Sequence, residues 1–132
     1  MKPSLFRARA GFTLIEIMIV VAIIALLAAI MSGNVLRARK RTQAARVLAD
    51  LRTLDGAIDQ WALEKNKKAG DVAQFSDVQP YLKMMSALNI TGRDLFNQTY
   101  GPFSVDSPPQ VADFTYDALS DVAPLEFWSP FR

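Results

Sequence analysis

Cysteine and histidine are both absent from this chain of 132 residues. Their absence removes disulfide staples, thiolate nucleophiles and Cys-based metal sites, along with the commonest neutral metal ligand and proton shuttle. A strong charge of either sign is missing too. The net charge is only +2, which is no electrostatic footprint for a nucleic-acid binder. No glycine-rich phosphate loop and no carboxylate pair at a helix or strand spacing stands in the sequence, so an enzyme has little to work with here.

What the chain does have is apolar residues, 51% of the total, unevenly placed. From Phe12 to Met31 every residue is apolar except Thr13 and Glu16. As a helix this run rises about 30 Å, enough to span the hydrocarbon core of a bilayer. The preceding residues carry Lys2, Arg7 and Arg9 and no acid, the asymmetry that inserts a segment with its N-terminus inside. A secreted signal peptide has a shorter apolar region, about 7 to 15 residues, and Ala28 to Gly33 make a poor cleavage site for one. A plain single-pass anchor fits the run better, but leaves Glu16 unexplained. A carboxylate about 6 Å into the span costs up to a few kcal/mol and wants a partner. No cation lies one helical turn away, so the partner is a head group, interfacial water or a group on another molecule.

Gly11-Phe12-Thr13-Leu14-Ile15-Glu16, set between a short basic leader and an apolar helix, resembles the processing motif of type IV prepilins and type II secretion pseudopilins. The resemblance implies cleavage between Gly11 and Phe12 by a prepilin peptidase, N-methylation of Phe12, and pairing of Glu16 with the freed amine of a neighbouring subunit, which relieves a charge buried in an apolar filament. It also implies an inner-membrane assembly platform as partner, minor subunits beside a homo-polymer, and a bacterial inner-membrane protein with its N-terminus cytoplasmic and its head periplasmic or extracellular. A glycine before the scissile bond fits, since a backbone without a β-carbon enters a tight cleft more easily. A solitary membrane-anchored interaction module is the competing reading, and neither Gly11-Phe12 nor Glu16 serves a mere anchor.

Beyond the apolar run, Ser32-Gly33-Asn34 joins three weak helix formers and predicts a bend or local melting. Many members of the resembled family have a proline near this point, where this chain has Gly33. Arg37, Arg39, Lys40 and Arg41 follow as a basic cluster on the outer side, against a simple positive-inside reading, facing solvent, anionic head groups or acidic neighbouring subunits. Ala44, Val47, Leu51, Leu54, Ile58 and Trp61 recur at spacings of three and four, the apolar face of a continuing helix to about Leu63, roughly 75 Å from Phe12. The same stripe also suits a coiled-coil seam, although few heptads are present. Gly56 costs this helix about 1 kcal/mol against alanine and leaves room for a neighbour.

The cations and glycine of Glu64 to Asp71 predict the helix end and a chain reversal. Ser76 with Gln79 suggests a capping box and a short helix over about residues 77–83, with Tyr81 and Leu82 facing the long helix. The alternation in Tyr100–Val105 and Val111–Tyr116, across Asp106-Ser107-Pro108-Pro109, predicts a small antiparallel β element. Phe127, Trp128 and Phe131 either dock on the core or face a neighbour. The fold class expected is α+β. Residues 1–11 are the leader, 12–31 the membrane-spanning and filament-core helix, 32–63 its amphipathic continuation, and 64–132 a small head and tail. Some major pseudopilins hold calcium late in the head, and by that resemblance Asp106, Asp113, Asp117 and Asp121 offer hard oxygen ligands; solvated turn carboxylates are the ordinary alternative. No other cofactor is indicated, and the short cysteine-free head favours a pseudopilin over a true pilin.

Overall fold

The computed structural model describes residues 11–132, with Ser32 described in its backbone alone, so the expected leader lies outside the described residues except for Gly11. One helix, α1, runs from Leu14 to Glu64. The chain divides into two compact units, with the boundary after Leu36 and the second unit comprising Arg37–Arg132. The division thus falls within α1, and its second half belongs to the head.

In the first unit every described side chain up to Val35 and Leu36 is exposed. α1 is the helix, among the described residues, long and apolar enough to cross a membrane, and none of its apolar window is buried within the chain. Ser32, Gly33 and Asn34 are helical, not melted as their propensities predict. Each weak former costs up to about 1 kcal/mol, less than strong formers on both sides return through cooperative propagation.

In the second unit α1 turns one stripe inward. Ala44, Val47, Leu51, Leu54, Ile58 and Trp61 are all buried, as their spacing predicts, and Leu48, Ala57 and Ala62 widen the face. A stripe this wide is that of a helix packed on a globular body and exceeds a two-stranded seam. α1 ends in a Schellman arrangement: Lys67 N–H donates to Ala62 O at 2.8 Å and Asn66 N–H to Leu63 O at 3.4 Å. The left-handed residue is Asn66 (φ 54°), not a glycine, since asparagine tolerates that conformation better than most side chains. Gly70 serves the next turn at φ 85°.

The head that follows is a run of short elements laid on this stripe: β1 (Val72–Ala73), α2 (Phe75–Val78), a 3-10 turn (Gln79–Tyr81), α3 (Ala87–Thr91), β2 (Phe103–Ser104), α4 (Asp113–Leu119) and α5 (Leu125–Trp128). With a long helix and one small antiparallel sheet the fold is α+β. β1 pairs with β2, Val72 opposite Ser104 and Ala73 opposite Phe103. The expected hairpin between 100–105 and 111–116 is therefore corrected. Residues 113–119 are helical, with Val111, Thr115 and Leu119 buried at a spacing of four, and Pro108 and Pro109 bring no N–H to a ladder. The short helix starts near its expected place, but its box is set by Asp77, whose carboxylate accepts from Gln74 N–H at 2.9 Å, in place of Ser76 and Gln79. Pro80 stands within the first turn of the 3-10 segment.

Leu82 is buried, and the Tyr81 hydroxyl donates to Glu64 Oε2 at 2.7 Å, holding the Glu64 carboxyl below its ordinary range. The tail docks: Trp128 and Phe131 are buried, and Trp128 Nε1 donates to Ala123 O at 3.1 Å. Asp94 ties the middle of the head together. Its Oδ1 accepts from the N–H groups of Phe96 and Gln98, both at 2.8 Å, and its Oδ2 from the Thr115 hydroxyl.

Candidate functional site

The start of α1 is built by Thr13. Its hydroxyl accepts from Glu16 N–H at 3.3 Å, while its carbonyl accepts from Glu16 and Ile17 N–H at 3.1 and 3.3 Å. Thr13 is thus the N-cap and Glu16 the third helical residue. This cap was legible as Thr-x-x-Glu before an apolar run, a capping-box pattern, and it is the residue the motif reading left without a role. Among the described residues the Glu16 carboxylate has neither a hydrogen-bond nor an ion-pair partner. A negative charge in the first turn is favoured by the helix dipole, yet its full desolvation in lipid or protein still calls for a cation.

Gly11 and Phe12 precede the cap as non-helical, exposed residues, with the Phe12 ring 79% exposed. A β-carbon built on Gly11 would meet nothing within 4 Å, and its φ lies outside the left-handed region. Among the described residues nothing therefore requires glycine there. A non-helical, accessible segment beside a capped helix start is open to another molecule.

The basic cluster separates into two kinds of residue. Lys40 turns to the head and pairs with Asp121 at 2.9 Å, whereas Arg37, Arg39 and Arg41 are exposed. The four aspartates considered for calcium do not converge. Asp113 pairs with Arg132 and Asp121 with Lys40, Asp106 sits in a turn at φ 63°, and Asp117 is exposed on α4. Among the described residues no three acidic side chains gather where a metal ion would fit.

An exposed Gly11–Phe12 junction, a capped start and an apolar helix with one early carboxylate stand together at this end of the chain. Residues 6–32 match the prokaryotic N-terminal methylation motif, and the N-terminal part of the chain is similar to that of type IV pilins and type II secretion pseudopilins. It is 35% identical over 57 residues to the type II secretion system core protein G of Klebsiella pneumoniae, covering 43% of this chain and 41% of that protein. To core protein G of Aeromonas hydrophila it is 30% identical over 61 residues, 46% of this chain and 43% of that protein. To the type IV wide pilus major component PilA4 of Thermus thermophilus it is 41% identical over 63 residues, 48% of each chain. The aligned part of the chain thus spans less than half the length of these curated relatives. No solved structure matches it.

Proposed function

We propose that this protein is the structural subunit of a type IV pilus-like filament, specifically a type II secretion pseudopilin. The observation that carries the reading is Glu16, an early carboxylate without a partner among the described residues, at the start of an apolar stretch of α1 that is exposed up to Leu36. A filament of like helices covers that surface and brings a cation to Glu16. The names of the Klebsiella and Aeromonas relatives favour the secretion machine over the pilus named for the Thermus relative.

The precursor sits in the inner membrane with its leader cytoplasmic. A prepilin peptidase hydrolyses the Gly11–Phe12 bond with water, leaving a carboxylate on the leader and an amine on Phe12, which then gives up a proton and takes a methyl group from a sulfonium methyl donor, released as the thioether. Removal of Lys2, Arg7 and Arg9 takes away the charges that hold the segment in place. The new ammonium of one subunit then pairs with Glu16 of another, and the apolar surface of α1 moves from lipid to neighbouring helices. An assembly platform in the inner membrane draws the subunit out, and minor subunits sharing the motif join the homo-polymer.

Intact and N-terminal peptide mass spectrometry on protein from native membranes tests this. The expected mature chain begins at a methylated Phe12, and Gly11→Val leaves the chain full-length. An unprocessed chain in cells that possess the peptidase would make this a solitary membrane anchor instead.

A further inference from the structure

Two exposed apolar sites stand on different elements of the head. One is the loop after the 3-10 turn, where Met84 and Met85 are 84% and 85% exposed. Their presentation is held by the fold, because Met85 takes φ 60°, a conformation unfavourable for a long side chain that persists only where the surroundings impose it. Ser86 supplies the restraint: its N–H donates to Lys83 O at 3.2 Å, and its hydroxyl caps α3 by accepting from Asn89 N–H at 3.2 Å. The other site is α5, with Leu125 57% and Phe127 36% exposed while Trp128 anchors the helix in the core.

Two side-chain bonds tie the segments leading into these sites to different turns of α1. The methionine loop begins three residues after Tyr81, whose hydroxyl bonds Glu64 at the last turn of α1. α5 begins four residues after Asp121, which pairs with Lys40. Lys40 and Glu64 are separated by about 36 Å along the helix axis. Each site carries one exposed charge without an ionic partner among the described residues, and the signs are opposite: Lys83 beside the methionines and Glu126 between Leu125 and Phe127.

We infer that these are the two halves of one self-contact, in which the Lys83-Met84-Met85 loop of one copy docks on Leu125-Glu126-Phe127 of the next along the axis. Flexible methionines fit an aromatic and aliphatic surface well, and the Lys83–Glu126 pair sets the register. Because the two surfaces differ, the contact is heterologous, a geometry that gives filaments where its rotation does not close into a ring. The inference rests on the filament reading above and names the surface that links heads in it.

Met84→Cys with Leu125→Cys tests it in cells that assemble the filament. The chain has no native cysteine, and a bond formed within one copy would give no ladder. Oxidation is expected to give a ladder of disulfide-linked multimers, reversed by reductant, from the double variant and from neither single one. Filaments of normal abundance without a ladder overturn the contact and leave the filament reading standing, whereas no filament from the unsubstituted chain overturns both. Cross-linked dimers from Met84→Cys alone also overturn it, since they indicate a symmetric contact. Should the cysteine chains fail to accumulate, charge reversal decides: Lys83→Glu and Glu126→Lys are each expected to lower filament yield several-fold, and their combination to restore it. Losses that simply multiply in the combined variant overturn the pair.

Discussion

Asp50 stands half-buried on α1, and burial pushes its carboxyl above the ordinary range, opposed by Arg46 and assisted by Asp94. A raised folded-state pKa means that the folded chain holds the proton more firmly than the unfolded chain. The cost of ionising Asp50 is therefore absent below the ordinary carboxylate pKa and grows as pH rises towards the raised value. Asp50→Asn is expected to raise the melting temperature of the detergent-solubilised full chain at pH 7, with the difference vanishing in acid. A lower melting temperature at pH 7 would show that the pairing with Arg46 outweighs burial. The neighbouring Tyr100 hydroxyl is buried without a hydrogen-bond partner among the described residues, and burial with Asp50 and Asp94 drives its pKa upward. None of this cluster was legible in the sequence, because Asp50, Asp94 and Tyr100 meet only through tertiary packing. Gly11, Phe12 and Glu16 stood out in the sequence because the pattern that singles them out is local order along the chain: a small residue, the start of an apolar run, and a charge within it.

At the scale of elements, periodicity read the long helix well and the head poorly. The buried stripe from Ala44 to Trp61 matched its spacing residue by residue, since a helix of many turns repeats its signal. The 111–116 segment shows the limit. A short stretch alternating in polarity fits a strand or two turns of helix, and here the partner of β2 came from residues 72–73, some thirty positions earlier. The end of α1 shows it again, where Asn66 takes the left-handed position expected of a glycine. Gly56 sits within α1 on an exposed face, and a β-carbon there meets nothing within 4 Å. Gly56→Ala is therefore expected to stabilise the chain by about 1 kcal/mol and raise its melting temperature by several degrees. If a neighbouring helix closes on that face in the filament, filament yield falls while the melting temperature still rises.

The whole molecule divides its chemistry between two solvents, an exposed apolar unit up to Leu36 and a head from Arg37 with its own core. That division makes membrane entry and polymer entry separable. Glu16→Ala is expected to insert and be cleaved at normal levels while filament yield drops at least several-fold; normal filaments from this variant would leave the carboxylate without a role in assembly. The bare space around Gly11 carries the separation one step further. Since the described fold asks nothing of that position, the filament reading makes its identity information addressed to a different protein. A bulky replacement there would yield a precursor whose head melts like the natural one and whose maturation is stopped, so folding assays would pass a chain that never joins a fibre.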